Sequence, residues 1–176
     1  MSKEKDLNSV RDKIDSLDER ILSLLNERAD LAIKAGEAKE ESIKYKPARE
    51  ATILNKLKEL NKGPLSNNQI ISIYNEIISA CRSTESDLKV AYLGPEGTYS
   101  ESALQNKFGS SVETKPEPSI KSVFEEVKKG LCDFGIVPIE NSSEGSVNLT
   151  LDCLMDFDLT ICGEIEMRIE HNLIGY

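Results

Sequence analysis

The stretch VRDKIDSLDERILSLLNERADLAIKAGEAK, residues 10–39, reads as one long amphipathic helix. Its apolar residues recur at alternating steps of four and three: Val10, Ile14, Leu17, Ile21 and Leu24, then Leu31, Ala35 and Ala38. Such steps keep side chains on one helical face. Arg28 alone breaks that register, standing where a leucine is expected. Its guanidinium therefore points into the packed seam, where a charge without a partner is costly, and an anionic group is expected to meet it. Lys39 follows eleven residues later, close to three turns at ~3.6 residues per turn, so two cations line one wall of a cavity. On spacing alone, a snorkelling or surface-paired arginine competes with this reading of Arg28. For Lys39 taken alone, a surface role is the simpler account.

Working outward, the helix is expected from about Leu7 to Lys39. At ~1.5 Å per residue it would reach ~50 Å, too long for a small domain, so packing against a partner chain is expected. Arg11 is turned by ~100° from Arg28 around that helix and cannot share its wall within one chain. It can reach the pocket of an antiparallel partner. A second helix is expected from about Pro47 to Asn61, with Ile53, Leu57 and Leu60 as its stripe. Asn61-Lys62-Gly63-Pro64 breaks it. Ser66-Asn67-Asn68-Gln69 fits a capping box that opens a third helix. Its inner column, Ile70, Tyr74, Ile77 and Cys81, ends in Glu85.

After Ser86-Asp87 the pattern changes to strands alternating with helices. Strands are expected at Lys89–Leu93, Val112–Lys115, Phe134–Pro138 and from about Leu159 onward, with helices at Ser100–Phe108, Ser119–Lys129 and about Val147–Met155. This alternation predicts a mainly parallel sheet with ligand loops at the carboxyl ends of its strands. Gly94–Thr98 and Glu140–Gly145 are two such loops.

The 176 residues have room for one or two domains with a real core. A formal net charge of -9 argues against nucleic-acid binding, so an anionic ligand must be held by a local cluster of cations. The opening MSKEKDLNSV lacks a signal-peptide pattern, and no stretch approaches the ~20 apolar residues of a membrane span, so a cytoplasmic location is expected. Cys81, Cys132, Cys153 and Cys162 show no CxxC spacing and His171 is the single histidine, which predicts small core or wall cysteines and no metal or cofactor. The helical half offers Arg11, Arg28, Lys39 and Arg49 with Glu50 and Glu85, but no nucleophile–histidine pair. Such a set suits orientation and charge stabilisation.

At this point the residues carry a resemblance. Val10-Arg11-Asp12-Lys13-Ile14-Asp15, Asn26-Glu27-Arg28, Gly36-Glu37-Ala38-Lys39, Tyr45-Lys46-Pro47-Ala48-Arg49-Glu50 and Ser79-Ala80-Cys81-Arg82-Ser83-Thr84-Glu85 resemble the all-helical chorismate mutases. Gly94-Pro95-Glu96-Gly97-Thr98-Tyr99-Ser100 and Val137-Pro138-Ile139-Glu140-Asn141-Ser142 resemble the start of prephenate dehydratases. That order is similar to the bifunctional bacterial P-proteins of phenylalanine biosynthesis. The resemblance implies an all-α mutase domain at 1–87, three helices in an intertwined homodimer. It also implies a partial, periplasmic-binding-protein-like α/β lobe at 88–176.

The resemblance implies that Arg11 of one subunit and Arg28 of the other hold the two carboxylates of chorismate, with Arg49 adding charge. Lys39 would donate to the ether oxygen whose bond breaks, Glu50 would hold the ring hydroxyl, and Lys46 would offer its backbone amide. Cys81 and Glu85 stand where some members have serine and glutamine. Cysteine is a weak donor. Glu85 donates to the ether oxygen only when protonated, a form that burial along the apolar column favours, so turnover is expected to rise toward mildly acidic pH.

In the second half, free amides at the start of the helix after Gly94–Thr98 are expected to receive a carboxylate of prephenate, and Thr98, Glu140 and Asn141 are the implied substrate-site residues. The loop lacks the Gly-Lys-Ser or Gly-Lys-Thr of a nucleotide P-loop. The family's Thr-Arg-Asp motif and regulatory domain are expected beyond this chain, so dehydration is expected to be absent or defective. Two rival readings stay open: a non-enzymatic dimerisation arm bearing a solute-binding lobe, and a mutase whose dehydratase half serves only as a sensor.

Overall fold

The computed structural model describes residues 2–38, 47–85, 87–141, 145–170, 173 and 175. Three helices come first: α1 (Ser2–Glu37), α2 (Pro47–Leu60) and α3 (Asn67–Ser83). The 36 residues of α1 extend ~54 Å at ~1.5 Å per residue. Among the described elements α1 packs only on α3, and α2 also packs on α3. Residues Leu7, Val10, Ile14, Leu17, Ile21, Leu24 and Leu31 of the α1 stripe are left between 49% and 61% exposed. The seam that the sequence predicts is therefore present as a helical face, but this chain does not cover it. Towards the C-terminal end of α1 burial increases, through Leu25, Arg28, Ala29, Ala32 and Ile33 to the buried Gly36. Ser66 and Gln69 form the expected reciprocal capping box at the start of α3.

The second half contains β1 (Lys89–Leu93), α4 (Tyr99–Phe108), β2 (Glu113–Glu117), α5 (Ile120–Lys128), β3 (Phe134–Ile136), β4 (Glu140–Asn141), β5 (Gly145–Ser146) and α6 (Asn148–Asp156). The first three strands form an entirely parallel sheet in the order β2-β1-β3. Val90, Ala91 and Tyr92 of the central strand are fully buried, as expected of a strand covered on both faces. On one face Leu88, Val90 and Tyr92 pack with Leu104 and Phe108 of α4. On the other, Ala91 meets Val123 of α5, and Ile120 and Phe124 of α5 meet Cys153 of α6. Gly135 gives α5 its seat, since a β-carbon there would lie 2.8 Å from Val123 Cγ1.

Two sequence expectations are corrected. No strand forms from Leu159 onward among the described residues. A strand exists only through a ladder with a neighbour, whereas Cys162, Gly163 and Ile165 instead line a hollow with Phe134, Gly135 and Ile136. The segment read as a plain loop after β3 contains a small hairpin, pairing Glu140 with Ser146 and Asn141 with Gly145. Gly145, at φ 78°, takes a left-handed conformation that glycine adopts without strain. No helix among the described residues is long and apolar enough to cross a membrane.

Candidate functional site

Glu50 lies in the first turn of α2 and Arg82 in the last turn of α3. Where α2 and α3 pack together, Arg82 Nη1 donates to Glu50 Oε1 across 2.6 Å, with the two side chains 6% and 20% exposed. Removing one partner of a buried pair costs ~3–5 kcal/mol, so the pair holds the two helix ends in register. Burial pushes the Glu50 carboxyl above its ordinary value, against the opposing pull of Arg82, Lys107 and Arg28. Arg28 is half-buried, and its charge makes the smallest of these cationic contributions at Glu50.

Arg82 has a second anchor. Its Nη2 donates to the carbonyl of Phe108 across 2.6 Å, and its guanidinium stands 5.9 Å from the Phe108 ring centroid. Phe108 ends α4, where carbonyls lack intrahelical partners. Neighbouring contacts extend this junction. Asn75 Nδ2 donates to Asn106 O, Ser110 N and Oγ donate to Glu76 Oε2, and Ser111 N donates to Ser79 Oγ. Gly109 makes the close approach possible: at φ 74° it leaves no room for a β-carbon, which would lie 2.4 Å from Ser79 Cβ.

Glu85 follows α3 by two residues and turns toward the C-terminal end of α1. A β-carbon on Gly36 would meet its Oε2 at 2.6 Å. Cys81 is buried one turn earlier in the same column, and its carbonyl accepts from Thr84 Oγ1. The structure therefore places Glu85 against α1, with Arg28 within electrostatic range of Glu50. Arg11 is exposed on α1, ~26 Å along the axis from Arg28 at ~1.5 Å per residue. Arg49 is exposed. Lys39 and Lys46 lie outside the described residues, as does His171.

Sequence reasoning missed Arg82 and Lys107. A signal for Arg82 was present, since Asn75, Ser79 and Arg82 are spaced by four and three along a second, polar stripe of α3. Lys107 carries no such pattern, because its closeness to Glu50 depends on how α4 docks.

In the second half, parallel pairing of β1 with β3 brings the loops after both strands to one end of the sheet. Thr98 stands at the N-cap of α4 without capping it; its hydroxyl donates to Leu93 O at 3.2 Å. The amide of Gly97 already donates to Glu101 Oε2 at 2.5 Å, so one of the donors expected to receive a substrate carboxylate is held by the chain's own acid. Glu140 and Asn141 are exposed on the hairpin at the same sheet end. All four cysteines are free thiols, with Cys81, Cys132 and Cys153 buried as small wall and core residues.

Comparison with known proteins gives a family for each half. Residues 10–86 match the model of chorismate mutase type II, and residues 90–176 match that of prephenate dehydratase. The chain is 49% identical over 181 residues to a bifunctional chorismate mutase/prephenate dehydratase of Stutzerimonas stutzeri, covering 99% of this chain and 50% of that protein. For the similarly described protein of Pseudomonas aeruginosa the identity is 45%, with the same coverage, and for that of Escherichia coli K12 it is 32% over 195 residues, again at 99% and 50%. The chain spans about half the length of the curated relatives it matches.

Proposed function

Because residues 10–86 and 90–176 match the chorismate mutase type II and prephenate dehydratase models in turn and the chain is similar to bifunctional chorismate mutase/prephenate dehydratases, we propose that it belongs with them and that its residues 1–87 rearrange chorismate to prephenate in phenylalanine biosynthesis. The observation that carries this reading is the half-buried Arg28 on an otherwise apolar α1 stripe, electrostatically coupled to Glu50 from a different helix. A dimerisation helix with no ligand gains nothing from a cation in its seam.

The chemistry suits these residue types. The rearrangement breaks the ether C–O bond while a C–C bond forms, with no net proton transfer. It needs the side chain held over the ring and developing charge on the ether oxygen stabilised. Orientation can supply ~7–11 kcal/mol in favourable cases and an aimed donor ~3–4 more. Arg28 and a partner's Arg11 bind the two carboxylates, with Arg49 adding charge nearby. Lys39 donates to the ether oxygen with Glu85 beside it, Glu50 accepts from the ring hydroxyl, and the Lys46 amide and Cys81 complete the wall.

This arrangement requires two copies of the chain. Supporting that requirement are the exposed apolar stripe of α1 and the separation of Arg11 from Arg28 along one helix. The proposed assembly is an intertwined, cytoplasmic homodimer. We place the division between the two regions at residues 87 and 88, between the end of α3 and the start of β1. Residues 88–176 form part of a periplasmic-binding-protein-like lobe, with Thr98, Glu140 and Asn141 facing prephenate.

The test follows chorismate loss with the purified chain. Wild type is expected to consume chorismate, and Lys39→Ala to turn over about a hundredfold or more slowly, on the scale of a lost transition-state donor. A chain that leaves chorismate untouched refutes the mutase assignment, and a fully active Lys39→Ala refutes the role of that lysine. The same reaction assayed for phenylpyruvate tests the expectation that dehydration is absent or defective in this chain.

A further inference from the structure

Glu50 reaches its place in the proposed pocket through a residue that belongs to neither substrate nor pocket wall. Its carboxylate is gripped at 2.6 Å by Arg82, and Arg82 is itself gripped at 2.6 Å by the carbonyl that ends α4 of the second region. A guanidinium is planar and presents donors in a fixed fork. With one arm on the Phe108 carbonyl, the direction of the other arm is set by where α4 docks. That docking is itself tightly specified by Gly109 against Ser79 and by the hydrogen bonds of Asn75, Glu76 and Ser79.

We propose that Arg82 is a positioning residue for the mutase reaction, aiming Glu50 at the substrate's ring hydroxyl from a seat built by the dehydratase region. The inference rests on the mutase reading above and deepens it: the second region supplies part of the first region's preorganisation. A free carboxylate on the first turn of α2 has several rotamers, whereas one clamped by a buried arginine has its second oxygen left in a defined direction. Fixing such a contact matters because a misplacement of about 1 Å can cost ~100-fold in rate.

The charged groups facing Glu50 are Arg82 from α3, Lys107 from α4 and Arg28 from α1. Without Arg82, burial acts against two cations rather than three, so Glu50 ionises at higher pH. Since it accepts from the hydroxyl as a carboxylate, the acid limb of kcat/KM moves upward with it.

Five chains test this: wild type, Arg82→Met, Arg82→Lys, Glu50→Gln and the double variant Glu50→Gln/Arg82→Met. Arg82→Met is expected to lower kcat by ~10- to 100-fold and to shift the acid limb to higher pH. Arg82→Lys retains a cation but not the fork, and should recover the wild-type acid limb with only part of the turnover. The double variant removes both charges, so it is expected to fold even where Arg82→Met does not, and to match Glu50→Gln in turnover. An Arg82→Met chain with wild-type kcat and an unmoved acid limb overturns the proposal. So does a double variant at least tenfold slower than Glu50→Gln, which would show Arg82 acting by another route. A wild type that consumes no chorismate defeats the mutase reading instead. The clamp is then judged by NMR titration of the Glu50 carboxyl, whose midpoint must rise in Arg82→Met; an unchanged midpoint ends the clamp as well.

Discussion

Gly36 and Glu85 meet so closely that a single methyl group at position 36 would lie 2.6 Å from the glutamate's Oε2. The absence of a side chain on α1 is therefore what lets the carboxylate at the end of α3 lie against the helix. Gly36 costs α1 helical propensity, ~1 kcal/mol relative to alanine. A helix that retains glycine at a buried position gains something from the close approach.

Gly36→Ala separates those two effects. Helix propensity gains up to ~1 kcal/mol, offset by displacement of the flexible Glu85 side chain, so urea unfolding is expected to shift by less than ~1 kcal/mol. Mutase turnover is expected to fall by about tenfold or more, because a displaced Glu85 no longer lies beside the reacting oxygen. A variant with intact stability and intact turnover removes Glu85 from the reaction.

Glu50 gives a pH dependence of known sign. Its folded-state pKa is raised by burial above the ordinary value of 4.5, so it favours folding most when protonated. That contribution is complete below 4.5 and is lost as pH rises through the raised folded-state value. The stability of wild type relative to Glu50→Gln should therefore decline across that window. Urea denaturation of both chains at a series of pH values reads it, and a difference that grows with pH contradicts the burial of this carboxylate.

Gly109→Ala probes the junction of the two regions. A non-glycine residue at φ 74° costs ~1–3 kcal/mol of strain, and the clash with Ser79 adds ~1–3 kcal/mol. A loss of about 2–6 kcal/mol is expected in chemical denaturation. A variant as stable as wild type means that α3 and α4 do not approach as closely as Gly109 and Ser79 require.

Ile21→Asp addresses the uncovered face of α1. Burying an isoleucine contributes ~1.5–3 kcal/mol, and a symmetric interface holds two, so the proposed dimer is expected to weaken by about 3–6 kcal/mol. Sedimentation should show a shift toward monomer, with mutase activity falling in proportion as each pocket loses the other chain's Arg11. Unchanged sedimentation would place the contact elsewhere.

The alternation of four and three along residues 10–39 was enough to establish α1, because a helix periodic over that many residues leaves few other ways to gather its apolar side chains. The capping box at Ser66 and Gln69 and the three parallel strands were legible for the same kind of reason, each being written in residues close together in the chain. The two misread segments failed because strands depend on neighbours. Nothing within residues 159–170 says that no ladder partner will be offered, and nothing before Gly145 says that the chain will double back on Glu140 and Asn141.

The candidate site divides along the same line. Arg28 could be singled out from the sequence because an interrupted periodicity is a local fact, and the resemblance to chorismate mutases added Glu50 and Glu85. The sequence alone thus determined the helices and their faces. Only the tertiary structure decided that Arg82 would join Glu50 to the last carbonyl of α4 and that Lys107 would stand near the same carboxylate. Arg82 lies 32 positions from Glu50 along the chain, and Lys107 further still. These relationships depend on the docking of whole helices, where close packing and the satisfaction of buried polar groups select partners that no local spacing encodes.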